Sequence, residues 1–159
     1  MKVRNRLVML AVAIMLVVLP LAIGSAQKRI VRLTFYYPVG VSGPLASVIH
    51  TYVNEFNNAN PDVEVVPVYT GDYDPTMQKV QTAVMGGNPP DVFIVEISEL
   101  PTLLAMNACE PLDRLASKEY LSDFSPAFLE NSYAQDGKLY NVPFQRSTPV
   151  FYWNKDDFR

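Results

Sequence analysis

The residues in this chain with chemistry to offer are few, and most of them bear oxygen. Tyr73 stands between Asp72 and Asp74 in the polar stretch Gly71-Asp72-Tyr73-Asp74. There it either covers apolar surface as a turn residue or presents a ring face and a hydroxyl to a ligand. Glu96 directly follows the apolar run Val92 to Val95. A carboxylate in that position either caps the next helix or accepts hydroxyl protons from a ligand. Glu99, three residues on, reads as a surface acid favoured by the helix dipole. Trp153, the only tryptophan, is either core or a stacking platform for a sugar ring. Arg146 lies in a proline-bounded polar loop, where it can pair with a ligand anion or with an acid such as Glu96. The pairing with an acid is the simpler reading.

Other chemistries lack their parts. His50 and Cys109 are the sole histidine and the sole cysteine, so the usual histidine and cysteine zinc sets cannot form. His50 falls one position off the apolar stripe of its helix and reads as a surface residue. Cys109 reads as a small buried filler. Gly40-Val41-Ser42-Gly43 lacks the spacing of a nucleophile elbow, and no phosphate-binding glycine loop with its lysine is present. Carboxylates are plentiful, so spacing alone leaves a glycosidase pair open. No metal or cofactor is expected.

The elements that must position these groups follow from the apolar pattern. Ile30 to Tyr37 is rich in β-branched and aromatic residues and predicts a buried strand. Leu45, Val48, Ile49, Tyr52, Val53 and Phe56 fall at helical spacing, with Pro44 opening the helix and Asn60-Pro61 closing it. Val63 to Tyr69 predicts a second strand. Asp74-Pro75 predicts the cap of a helix carrying Met77, Val80 and Val84, and Gly86-Gly87 ends it. Val92 to Val95 predicts a third strand, and Ser98 begins a helix with Leu103, Leu104 and Met106.

Strand and helix thus alternate, which predicts an α/β fold: a mostly parallel sheet flanked by helices on both faces. After Pro111 the alternation breaks. Asp136-Gly137 predicts a hairpin turn, and Val150 to Trp153 predicts a strand followed by the charged opening of a helix. In open parallel sheets ligands bind beyond the carboxyl ends of the strands. That edge would be lined by the loop at 40–43, the loop at 71–74 and the segment at 96–99. The first of these also points backbone N–H groups at a helix start, suited to an anion or a hydroxyl.

The amino terminus carries a different message. Lys2, Arg4 and Arg6 precede the unbroken apolar run Leu7 to Leu19, and Pro20 leads into Gly24-Ser25-Ala26. This is the layout of a secretory signal, residues 1–26, with cleavage before Gln27 or after Gly24. The run is short for a membrane span, which needs roughly 20 residues. Its removal takes away three basic residues and no acids, moving the formal charge from −3 to −6. An acidic exported chain argues against nucleic acid as a partner. With one cysteine it must also hold together without an intrachain disulfide.

Several motifs, in order, carry a resemblance. Phe56-Asn57-Asn58-Ala59-Asn60-Pro61-Asp62 closes the first helix, and Gly86-Gly87-Asn88-Pro89-Pro90-Asp91-Val92 enters the third strand. Glu110-Pro111-Leu112-Asp113 follows, then Pro143-Phe144 through Tyr152-Trp153-Asn154-Lys155-Asp156. With these, the chain resembles the family 1 extracellular solute-binding proteins of ATP-binding-cassette importers. Gly71-Asp72-Tyr73 and Ser147-Thr148-Pro149-Val150 bring it nearest the glycerol-3-phosphate-binding branch. The resemblance covers essentially all of Ile30 to Arg159.

The resemblance implies a two-lobe protein whose chain crosses between lobes near Asn154-Lys155-Asp156. Residues 27–159 would then be the first lobe, cut at that crossing. It implies capture of a sugar, polyol or glycerol phosphate and delivery to membrane permease subunits, with no catalysis and no cofactor, by a monomer on the outer face of the cell membrane. Tyr73 and Ser147 match family positions that contact glycerol phosphate. The family's acidic ligand residue after the third strand has no ungapped match: its position falls on Ile97, with Glu96 one residue earlier. The implied class is therefore carbohydrate or polyol, with Tyr73, Ser147, Glu96, Trp153 and Arg146 as candidate ligand residues. An exported α/β hydrolase and an anchored ligand-sensing domain are the alternatives.

Overall fold

The computed structural model describes residues 29–38, 44–145, 147 and 149–158. The expected signal and the 40–43 loop therefore lie outside the described residues. Three strands form one sheet: β1 (Val31–Tyr37), β2 (Val63–Tyr69) and β3 (Val92–Phe93), in the order β2-β1-β3. All pairings are parallel, with Val31 to Tyr37 in register with Val63 to Tyr69, and Phe35 and Tyr36 opposite Val92 and Phe93. Parallel strands need crossovers. These are α1 (Pro44–Ala59) between β1 and β2, and α2 (Tyr73–Met85) between β2 and β3, with α3 (Leu100–Ala105) following. The first crossover steps outward from β1 and the second steps back past it. Right-handed crossovers therefore put α1 and α2 on opposite faces.

The strand alternation distributes the core to match. Phe35, Tyr37 and Val65 meet Ile49 and Val53 of α1 on one face. Tyr36, Phe93 and Val95 meet Met77 and Val80 of α2 and Leu103 of α3 on the other. The predicted stripe on α1 is thus only partly used. Ile49 and Val53 are buried, whereas Val48, Tyr52 and Phe56 are exposed. β1, expected as a buried strand, is exposed at Val31 and Arg32, where an Arg32–Glu64 ion pair of 2.8 Å spans β1 and β2.

The asparagine-rich end of α1 has a tertiary task. β2 is an edge strand, so Val65 has backbone groups on its outer side that no strand pairs. The Asn57 carboxamide supplies that pairing: its Nδ2 donates to the Val65 carbonyl at 3.0 Å and its Oδ1 accepts the Val65 N–H at 2.8 Å. Asn57→Ala should strip both bonds from a part-buried site and cost about 1–2 kcal/mol in stability. Urea denaturation would measure this, and a loss indistinguishable from zero would mean that water replaces the carboxamide without cost.

Several expected boundaries shift for physical reasons. The cap of α2 is Asp72 rather than Asp74: it is extended and its side chain accepts the Tyr73 N–H at 3.0 Å. Pro75 then stands in the first turn, where a missing N–H is harmless. β3 is shorter than Val92 to Val95: Val92 and Phe93 alone pair with β1, opposite Phe35 and Tyr36. Ile94 still donates to the Tyr36 carbonyl at 3.0 Å. The helix expected from Ser98 is a 3-10 turn at Ile97–Glu99 leading into α3, whose first turn accommodates Pro101.

Beyond α3 the chain forms short pieces: a 3-10 turn at Leu112–Arg114, α4 (Lys118–Ser122), α5 (Pro126–Leu129) and a 3-10 turn at Glu130–Ser132. The Glu110-Pro111-Leu112-Asp113 motif clasps buried Leu139. Leu112 N–H donates to its carbonyl at 2.7 Å, and Asp113 accepts its N–H at 3.1 Å. Asp136-Gly137 turns the chain as predicted, with Gly137 at φ +75° and Tyr133 bridged antiparallel to Leu139. Asp136 accepts the Lys138 N–H and the Tyr140 hydroxyl, and these hydrogen bonds hold its carboxyl below the ordinary range. Val150 to Trp153, expected as a strand, is not one. Among the described residues no strand pairs with it, and Phe151 and Tyr152 are 84% and 89% exposed. β-propensity needs a partner strand to act on, and the described residues offer this segment none.

Candidate functional site

The topology makes β1 and β3 neighbours whose following connections leave toward opposite faces. A crevice opens where such strands end. Both ends, and that of β2, lie on the carboxyl edge of the sheet, and the chain there is tightly fastened. Thr70, fully buried, donates its N–H and its hydroxyl to the Tyr37 carbonyl, each at 3.2 Å. Its single proton being used, the 2.6 Å bond between the Thr70 and Thr76 hydroxyls must be donated by Thr76. Lys79 Nζ donates to the Thr70 carbonyl at 2.7 Å. The first two turns of α2 are thereby tied to the ends of β1 and β2. Gly71 completes the turn at φ +107°, where a Cβ would lie 2.9 Å from that of Pro75. Only glycine fits the bend that delivers Tyr73.

Tyr73 is the first residue of α2 and is half-buried. Its hydroxyl accepts a hydrogen bond from Gln145 Nε2, across 72 positions of sequence. Ser147, exposed, follows Gln145 by two residues, a reach of at most about 7 Å of extended chain. Arg146 lies outside the described residues. Glu96 lies three residues beyond the end of β3, exposed and with extended backbone. It precedes the 3-10 turn but its side chain makes no capping bond, so the capping alternative does not hold. Ile97, on which the ungapped family position falls, is half-buried, so at this step in the chain Glu96 is the group turned outward. No hydrogen bond joins Glu96 to Tyr73 or Ser147 among the described residues.

Trp153 is not core. It is 56% exposed and stands edge-on to Phe158 at 5.7 Å, because no described element covers the 150–158 segment. Glu99 is half-buried and makes no side-chain cap. His50 is exposed on α1, edge-on to Tyr37 at 6.4 Å. Cys109 is half-buried at the margin of the Leu103 cluster, and burial pushes its thiol up. No group of three metal-ligating side chains occurs among the described residues.

Gln145 is the contact that sequence reasoning missed. Nothing in Pro143-Phe144-Gln145 marks that glutamine apart from other polar loop residues; only the fold brings it to Tyr73. An open groove of about 450 Å³ flanks α2, lined by Tyr36, Pro75, Gln78, Lys79, Thr82 and Ala83. None of the candidate ligand residues lines it. The fastened turn, the Tyr73 hydroxyl and Glu96 make the sheet edge the chemically furnished surface instead.

The model of the family described as bacterial extracellular solute-binding protein matches residues 51–159. Over 151 residues the chain is 30% identical to the sn-glycerol-3-phosphate-binding periplasmic protein UgpB of Salmonella typhimurium, a match covering 89% of this chain and 33% of that protein. Among solved structures, an extracellular solute-binding protein family 1 member from Alicyclobacillus acidocaldarius superposes with a TM-score of 0.63 at 25% identity, covering 74% of this chain and 28% of that one. CpMnBP1, solved with mannotriose bound, superposes at 0.62 with 28% identity, covering 71% and 28%. The chain spans about a third of the length of the relatives it matches.

Proposed function

The chain belongs to the bacterial extracellular solute-binding proteins, and on that premise we propose that it supplies the first lobe of the substrate-binding component of an ATP-binding-cassette importer. Residues 1–26 direct export, and residues 27–159 fold as the lobe. The whole protein captures a carbohydrate, polyol or glycerol phosphate outside the cell membrane, as a monomer, and presents it to permease subunits. It binds its solute rather than transforming it, as the relatives' names indicate for them. A second lobe would close over the carboxyl edge by a hinge motion.

One observation carries the placement of the site. The Tyr73–Gln145 hydrogen bond ties Gln145 to the start of α2 after β2, and Ser147 follows Gln145 within about 7 Å of extended chain. Tyr73 offers a ring face and a hydroxyl, Ser147 a hydroxyl, and Glu96 an acceptor for solute hydroxyls.

The test requires a two-lobe protein: residues 27–159 fused to the remaining portion of the glycerol-3-phosphate-binding relative. Calorimetry would use sn-glycerol 3-phosphate and mannotriose, the solutes that relatives bind. Ser147→Ala should weaken binding by about 1 kcal/mol, or roughly fivefold, for one neutral hydrogen bond. Tyr73→Ala should cost about 2 kcal/mol or more, because buried ring area goes with the hydroxyl. Unchanged affinity in both variants would place the solute elsewhere.

A further inference from the structure

We propose that Gln145 is a specificity-determining positioning residue: by donating to the Tyr73 hydroxyl it leaves that hydroxyl's own proton for the solute. The inference rests on the solute-binding reading and deepens it.

A phenolic hydroxyl has one proton and accepts through its oxygen. In the absence of a neighbour it can face a solute in either sense. Here Gln145 Nε2 donates to Tyr73 Oη. One acceptor position of the oxygen is engaged, which biases the group toward donating its own proton to a solute. The Thr70–Thr76 hydroxyl pair and Lys79 tie the start of α2 to the end of β2. The half-buried Tyr73 thereby favours a solute oxygen that accepts, such as a phosphate, carboxylate or carbonyl oxygen.

Glu96 has the opposite polarity. An exposed carboxylate with no proton to give, it takes only donors such as solute hydroxyls. The sheet edge therefore reads a solute in two senses, with acceptor oxygens toward Tyr73 and hydroxyl protons toward Glu96. Gln145 need not touch the solute to exert this effect.

Two measurements test it. In the full 159-residue chain, nuclear magnetic resonance should show the Gln145 side-chain amide protons shifted from those of a free glutamine. Tyr73→Phe should remove that shift while the backbone spectrum of the sheet stays in place. Gln145→Leu, which leaves α2 intact, should in turn move the Tyr73 ring resonances. A Gln145 amide indifferent to Tyr73→Phe overturns the proposal without reference to any solute.

In the two-lobe fusion, Gln145→Leu should weaken sn-glycerol 3-phosphate binding about fivefold, the equivalent of one neutral hydrogen bond. In a Tyr73→Phe background the same change should leave affinity within about twofold, since the two residues act through one hydroxyl. Equal losses in both backgrounds mean that Gln145 contacts the solute or merely shapes the loop, and overturn the assignment. A fusion that binds no solute, with the amide signature present, overturns the solute-binding reading and Gln145's role in it while the hydrogen bond itself stands.

Discussion

Leu103→Ala is expected to cost about 2–5 kcal/mol, the range for deleting a buried leucine when the surroundings collapse only in part. Leu103 is 2% exposed and packs with Met77 and Val80 of α2, with Phe93 and Val95 against the same cluster. It is thus the point at which α3, a helix of only six residues, is anchored to the sheet. So short a helix has little stability of its own, and its position depends on this packing. Because α3 follows the Glu96 segment directly, its loosening should also free that carboxylate from its place at the sheet edge. Urea denaturation of the chain would give the number. Leu103→Met, nearly equal in volume, should cost less than about 1.5 kcal/mol and serves as the control. Equal costs for the two substitutions would mean that the cluster is not packed as described.

The second large effect concerns binding. The 159-residue chain alone should bind sn-glycerol 3-phosphate or mannotriose no more tightly than millimolar, about −4 kcal/mol, whereas the two-lobe fusion should reach micromolar, about −8 kcal/mol. Small-molecule sites bury most of the ligand's surface, typically about 70–90%. The candidate residues here lie on one open edge, with Glu96 and Ser147 exposed and Tyr73 half-buried. A solute on that edge keeps much of its hydration shell, and each hydrogen bond to it competes with water. Micromolar binding by the chain alone, measured by calorimetry, would show that this surface suffices without a second lobe.

Much of the fold was legible because its signals are local. The β-branched runs at 30–37 and 63–69, Pro44 and Asn60-Pro61 mark elements whose observed bounds agree to within a residue or so. The parallel order followed from alternation of strand and helix, and the Asp136-Gly137 turn from its dipeptide. Most of the failures depended on a partner elsewhere in the chain, and one was a local shift of a helix cap. Val150 to Trp153 has the composition of a strand but, among the described residues, no strand beside it. Trp153 has the size of a core residue but is 56% exposed, with Phe158 edge-on to it. Asn57 marked a helix end, while its carboxamide serves the edge of β2 eight residues away. Asp74-Pro75 resembled a cap, yet Asp72 holds the extended conformation that capping requires.

The candidate site divides along the same line. Tyr73 and Glu96 could be found because each follows a strand at the sheet edge where ligands bind. Ser147 required the family resemblance, since a serine in a polar loop carries no signal of its own. Gln145 was out of reach of either argument, because its importance lies in one contact made across the fold.

The most direct measurement is a crystal structure of the two-lobe fusion with solute bound. The account predicts solute density at the carboxyl edge of the sheet, in hydrogen-bond contact with the Tyr73 hydroxyl and Ser147 and with solute hydroxyls directed at Glu96. Solute seated away from Tyr73 and Ser147, in the groove beside α2 or on any other face of the lobe, would contradict it.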